Sequence, residues 1–230
     1  MKLKDVWLQH ASAAATPDAG TQTSSAAAQT RLPPAVRMRI AQIDDHAARG
    51  AERANQALAP HAQALGQELD AVRRSTDPAR VALSRLRGLA GRFSEILSPV
   101  SACSKACNHC CHIPVMVAES EAQLIGYALR LKPRRVKRSP ILEQGRYGYD
   151  MPCTFLAADG SCSIHAHRPL NCRLQLNVDV DELLCRLVEG IAVPVPLANT
   201  AQFKAVYLTL CHGDTVADIR EWFPQAPTLP

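Results

Sequence analysis

The chain has 230 residues, 47% hydrophobic and 20% charged, with a formal net charge of +5. That suffices for one sizeable domain or two small ones, and the low aromatic content of 4% leaves a core built mainly from Ala, Leu, Val and Ile. No apolar run approaches the roughly 18 residues of a membrane-spanning helix.

The N-terminus, MKLKDVWLQH, offers only Val6, Trp7 and Leu8 before His10, too little for the apolar stretch of a signal peptide. The expected compartment is therefore the cytoplasm. Residues 11–32 are small and polar without an apolar period, so 1–33 reads as a disordered tail. From residue 34 to 99 the composition turns to Ala, Gln, Arg and Leu, which favour helix, and this stretch is expected to be a helical arm that packs on the second half. Its best-supported helix starts after Ser75-Thr76-Asp77-Pro78, which offers capping side chains and then a first-turn proline. Leu83, Leu86, Leu89, Phe93, Ile96 and Leu97 follow at three- and four-residue steps, an amphipathic stripe that needs a partner.

All nine cysteines lie between Cys103 and Cys211. An odd total in a reducing compartment argues for metal ligation over a disulfide scaffold. The first group is Cys103-x3-Cys107-x2-Cys110-Cys111. As a helix, with about 100° per residue, it would hold its four thiols within an arc of about 100°. Thiolates select zinc, copper(I) or iron–sulfur centres over hard cations. Glu119 to Leu131 reads as a helix with acids in its first turn. Residues 130–146 hold seven basic side chains (Arg130, Lys132, Arg134, Arg135, Lys137, Arg138, Arg146) against one acid, Glu143, a solvated loop or the docking place of an acidic partner.

The second group is Cys153-x8-Cys162-x9-Cys172, in which Asp159-Gly160 marks a hairpin turn that would bring Cys153 and Cys162 together. Helices are expected at Thr200–Cys211 and Thr215–Phe223, the latter stopped by Pro224. Residues 100–224 thus read as a cysteine-cluster domain with C-terminal helices, followed by a tail at 225–230. The expected fold class is mainly α: a small helical domain with a short two-stranded β-hairpin at a cysteine-ligated metal site.

The first group, together with PCTFLAADGSCSIHAHRPLNCR at 152–173, resembles the YkgJ-like cysteine-cluster family with its zinc- or iron-chelating CxxCxxCC domain. The common form of that family has two residues between its first two cysteines; this chain has three. The resemblance covers about residues 100–175 and implies Cys103, Cys107, Cys110, Cys111, Cys153, Cys162 and Cys172 as metal ligands for zinc or iron, with an iron–sulfur cluster favoured by the number of thiols. His165 is either a further ligand or a hydrogen-bonded histidine at a strand end, His109 and His112 flank the thiols where they could orient ligands, and Arg168 and Arg173 could offset thiolate charge. Cys185, among Leu183, Leu184, Leu187 and Val188, and Cys211, on the stripe of Phe203, Val206, Tyr207 and Leu210, read as core thiols.

The function expected is metal binding, with the biological process unassigned. Two alternatives stand beside it. A related motif occurs in flagellin lysine N-methylase, which would make the chain an S-adenosylmethionine-dependent enzyme, although no Gly-rich strand-to-helix turn for a nucleotide cofactor is present. A zinc-stabilised nucleic-acid module would rest on the basic loop alone, with no interleaved aromatics for base stacking.

Overall fold

The computed structural model describes residues 30–224. The tails expected at 1–33 and 225–230 lie outside it except for residues 30–33, where Leu32 is buried against Val36, Leu184 and Ile191.

Four helices come first: α1 (Pro34–Ala41), α2 (Ile43–Leu58), α3 (Ala62–Arg73) and α4 (Ala79–Leu97). Pro34 and Pro78 mark the entries to α1 and α4, where a missing N–H costs nothing. Asp44 and Asp45 sit in the first turn of α2, where the helix dipole favours negative charge. Of the stripe expected on α4, Leu83, Leu86, Leu89, Phe93 and Leu97 are buried and Ile96 is half-buried against them, while Ala82 and Ala90 join the buried face. Each such leucine contributes roughly 1.5–3 kcal/mol by leaving water.

The rest comprises β1 (Met116–Ala118), α5 (Glu119–Leu129), α6 (Pro140–Gln144), α7 (Leu170–Leu174), α8 (Ala201–Leu210), β2 (Val216–Asp218) and α9 (Ile219–Trp222). The largest apolar cluster joins α4 to Leu170 and Leu174 of α7 and to Phe203, Val206 and Tyr207 of α8. The rings of Phe93 and Phe203 lie 5.1 Å apart. The N-terminal helices and the cysteine-bearing half therefore share one core.

The protein is mainly helical with one small antiparallel sheet, in which β1 and β2 pair as Met116↔Asp218, Val117↔Ala217 and Ala118↔Val216. Each strand runs straight into a helix, α5 and α9 respectively. Beneath the sheet a second cluster gathers Val117, Ile125, Phe155, Ile164, Ala217 and Trp222. The stretch 153–164, read from sequence as the two-stranded element, is a chain of turns with one bridge, Leu156↔Cys162. Leu156 N–H already donates to Cys153 C=O and His165 N–H to Cys162 C=O, so both arms curl away before a ladder can extend. The helix expected from Glu119 to Leu131 stops at Leu129 because Arg130 is left-handed, with φ 56°. The helix expected over Thr215–Phe223 is half strand, β2, and half helix, α9. Among the described residues no helix is long and apolar enough to cross a membrane.

Candidate metal centre

Residues 103–112 are not one helix. The chain bends at Ala106, a non-glycine residue with φ 68°, and closes into a 3-10 turn at His109–His112 that carries Cys110 and Cys111. The bend is held from outside. A Cβ on Gly160, itself at φ +79°, would come within 3.0 Å of Asn108 Nδ2 and 3.5 Å of Ala106 C=O. The Asp159-Gly160 turn thus packs directly on the loop between Cys103 and Cys110, and glycine serves both the turn and the close approach.

Backbone bonds then join the two cysteine segments. Cys153 N–H donates to Cys111 C=O at 2.7 Å. Arg220, at the start of α9, spans both segments, with Nη2 donating to Cys111 C=O (3.0 Å) and Ile113 C=O (3.2 Å) and Nε to Pro152 C=O (3.3 Å). Its Nη1 is held by both carboxylate oxygens of Asp218, at 2.8 and 2.9 Å. On the far side Asn177 N–H donates to Cys103 Sγ at 3.4 Å, and its Nδ2 donates to Cys185 Sγ at 3.2 Å and to Asp181 C=O at 3.0 Å. Cys153, Cys162 and Cys172 pack together against the Phe155–Trp222 cluster.

All nine cysteines are free thiols. Burial pushes up Cys103, Cys107, Cys153, Cys162 and Cys172, Cys172 well above the ordinary thiol value. Cys110 goes the other way because it accepts a hydrogen bond from Cys111, which is correspondingly raised. The charge of Arg168 opposes the rise at Cys103 and Cys162 and adds to the lowering at Cys110, while its Nε is buried without a hydrogen-bond partner and Nη2 donates to Ser94 Oγ at 3.1 Å. Arg173 points its guanidinium elsewhere, donating to the carbonyls of Ala166 and Arg168.

The structure joins the first cysteine group to Cys153 by a backbone bond, sets Cys153, Cys162 and Cys172 on one apolar cluster, and places Cys185 within a hydrogen bond of Asn177, which also bonds Cys103. Asn177, buried at 2% exposure, is the residue through which Cys185 arrives. Leu184 beside it faces the other way, into the cluster with Leu32, Val36 and Ile191, so the apolar neighbours that suggested a core position belong to a separate packing surface. Cys211 lies in the main core, 7% exposed. His165 is exposed. His109 Nδ1 is hydrogen-bonded to Tyr149 Oη at 2.7 Å, and the His112 ring lies edge-on to Tyr149 at 4.9 Å. Among the described residues no three His, Cys, Asp or Glu side chains are already set around one point at metal-ligand spacing. The gathered donors are nonetheless all soft sulfur, which fits zinc or iron and does not fit magnesium or calcium.

Residues 102–190 match the family model CxxCxxCC, described as "Putative zinc- or iron-chelating domain". The matched stretch includes Cys185 with the other seven. No curated protein and no solved structure matches the chain.

Proposed function

We propose that the CxxCxxCC domain at 102–190 holds zinc or iron through clustered thiolates, with Cys103, Cys107, Cys110, Cys111, Cys153, Cys162 and Cys172 as ligands and an iron–sulfur centre favoured over zinc. The observation that supports this most is the convergence of two separate cysteine segments through the Cys153–Cys111 backbone bond and the Arg220 guanidinium that clasps both. Such a centre, as an iron–sulfur cluster, supplies one-electron chemistry; as zinc, it holds the fold together. The chain's own part is to gather the thiols, shield them and offset their charge. Arg168 is placed for the last of these, since charge-assisted donors near thiolates oppose their mutual repulsion. A reducing, cytoplasmic setting suits nine free thiols.

The test is anaerobic purification with metal analysis and a visible spectrum. Brown protein with iron and acid-labile sulfide supports the cluster, and colourless protein with stoichiometric zinc supports the zinc form. Folded protein whose thiols are reduced and take up neither metal overturns the reading.

A second reading concerns 130–146. Arg130, Lys132, Arg134, Arg135 and Lys137 are exposed, and among the described residues none of them makes an ion pair, whereas Arg138 is taken by Glu143. This one-signed strip supports docking of an acidic partner.

A further inference from the structure

We propose that Tyr127 and the exposed cations at 130–137 form one binding surface for single-stranded nucleic acid, with phosphates on the cations and a base stacked on the Tyr127 ring. The inference rests on the reading of this strip as the docking place of an acidic partner and goes beyond it in naming the partner's chemistry.

Along the sequence no aromatic residue stands among the cations; the fold supplies one. Tyr127, near the end of α5, is 88% exposed, more than any other large apolar side chain among the described residues. It makes no hydrogen bond or ring contact among them. The chain then reverses. Arg130 is left-handed, with φ 56°, and Leu131 N–H donates back to Gly126 C=O at 2.8 Å. A Cβ on Gly126 would meet Leu131 C=O at 2.5 Å and Pro133 Cδ at 2.8 Å. Lys132, between those two, is thereby carried back beside the helical turn that bears Tyr127.

Leu131, Pro133 and Val136 are half-buried, while Lys132, Arg134, Arg135 and Lys137 are exposed. In an extended chain alternate side chains share a side and stand about 6–7 Å apart, so the cations form a row. No acid interrupts it: between Glu121, which is buried, and Glu143, which pairs with Arg138, the sequence has no Asp or Glu. Such a row suits any linear polyanion, and the ring separates the candidates. An acidic polypeptide such as polyglutamate has carboxylates and no π-face to lay on Tyr127, whereas every base offers one. Bases in a duplex are already stacked on each other, so a free ring calls for an unpaired strand. Arg130, Arg134 and Arg135, all exposed, add planar guanidinium forks that grip phosphate oxygens in pairs and stack on bases.

Fluorescence anisotropy of the full chain in low salt tests this with three labelled probes of equal length: an oligothymidylate, an abasic strand with the same phosphates, and polyglutamate. Oligothymidylate is expected to bind at least about fivefold more tightly than either of the others, the worth of one base stacked on an aromatic ring. Tyr127→Ala should remove that advantage and Tyr127→Phe keep it, both leaving the abasic strand and polyglutamate bound as before. Lys132→Glu with Arg135→Glu should weaken all three. Oligothymidylate bound no more tightly than the abasic strand, or as tightly by Tyr127→Ala as by the unaltered chain, overturns the nucleic-acid assignment and leaves the acidic-partner reading intact where polyglutamate binds. Oligothymidylate binding that survives Lys132→Glu with Arg135→Glu overturns it also. Failure of all three probes to bind removes both readings.

Discussion

The carboxylate of Glu121 accepts the backbone N–H of Leu170 at 2.7 Å and so fixes the start of α7, the short helix that carries Cys172. Glu121 is fully buried. Its second oxygen accepts from Tyr207 Oη at 2.9 Å, and Arg87 Nε lies 3.3 Å from the first. Burial pushes the carboxyl upward, and Arg87, the Leu170 N–H and Tyr207 work against it. Removing one member of such a buried set strands the others. Glu121→Ala is expected to cost about 3–5 kcal/mol, the usual loss when a buried charge loses its partner; Glu121→Gln, which still accepts from Leu170, is expected to cost less. Urea denaturation of the metal-free protein measures both. Equal losses for the two substitutions would show that the charge, not the Leu170 contact, is what matters.

Arg220 makes a second prediction. Its five donor contacts, to Asp218, Cys111, Ile113 and Pro152, depend on the planar guanidinium fork, which an ammonium cannot reproduce. Arg220→Lys is therefore expected to weaken metal binding about 10- to 100-fold, the range found when residues that orient metal ligands are lost. Competition with a chromophoric chelator reads the affinity. Unchanged affinity in Arg220→Lys would mean that the two cysteine segments hold their places without the clasp.

Much of this was legible in the sequence. The stripe of α4 and the start of α5 show because an apolar face repeats every turn and its ends carry recognisable residues. The sheet did not show, because each strand is three residues long and its partner lies at the other end of the domain; no local pattern marks such a pair. Glu121 reads as an ordinary first-turn acid, since nothing nearby announces that Arg87, Leu170 and Tyr207 will close over it. The contact of Cys185 with Asn177 was hidden by its neighbours. A 3-10 turn at Leu183–Cys185 sends Leu184 toward α1 and leaves Cys185 facing Asn177, a separation that a linear run of apolar letters does not reveal.

The metal-free protein is expected to lose stability as pH rises through the alkaline range. Burial, and after it the carboxylates of Asp214 and Glu121, push Cys211 up to about 12 from an ordinary value of 9.0. Between those values the unfolded chain has shed this proton and the folded chain keeps it, so the unfolded state gains and folding stability falls. Below about 9 the contribution is complete and flat. The urea midpoint, followed from neutral pH upward, should fall more steeply in the unaltered chain than in Cys211→Ala, whose own cost is about 1 kcal/mol at neutral pH. Parallel curves for the two proteins would show that Cys211 keeps no raised proton. Metal content should be the same in both, since Cys211 lies in the core and apart from the gathered thiols.

The basic segment supports the last prediction. Leu131 and Val136 turn inward onto the Phe155–Trp222 cluster, and Arg134 N–H donates to Trp222 C=O at 2.8 Å. Gly126 admits the close crossing of this segment over α5, where a Cβ would meet Leu131 C=O at 2.5 Å. The backbone is thereby pinned, and the cations at 130, 132, 134, 135 and 137 stand in solvent. Exposed charges act through water and salt, over a screening length that shrinks from about 10 Å at 0.1 M to about 3 Å at 1 M. Binding of an acidic polypeptide such as polyglutamate, read by fluorescence anisotropy, should therefore weaken strongly from about 0.05 to 0.5 M salt. Lys132→Glu with Arg135→Glu should weaken it at least about tenfold, a loss of roughly 1.4 kcal/mol. Arg49→Glu with Arg80→Glu, exposed changes on α2 and α4, gives the control for net charge alone, and metal content should be unaffected in both variants. Equal weakening by the Arg49→Glu, Arg80→Glu pair, or binding indifferent to salt, would show that the strip is only a solvated surface.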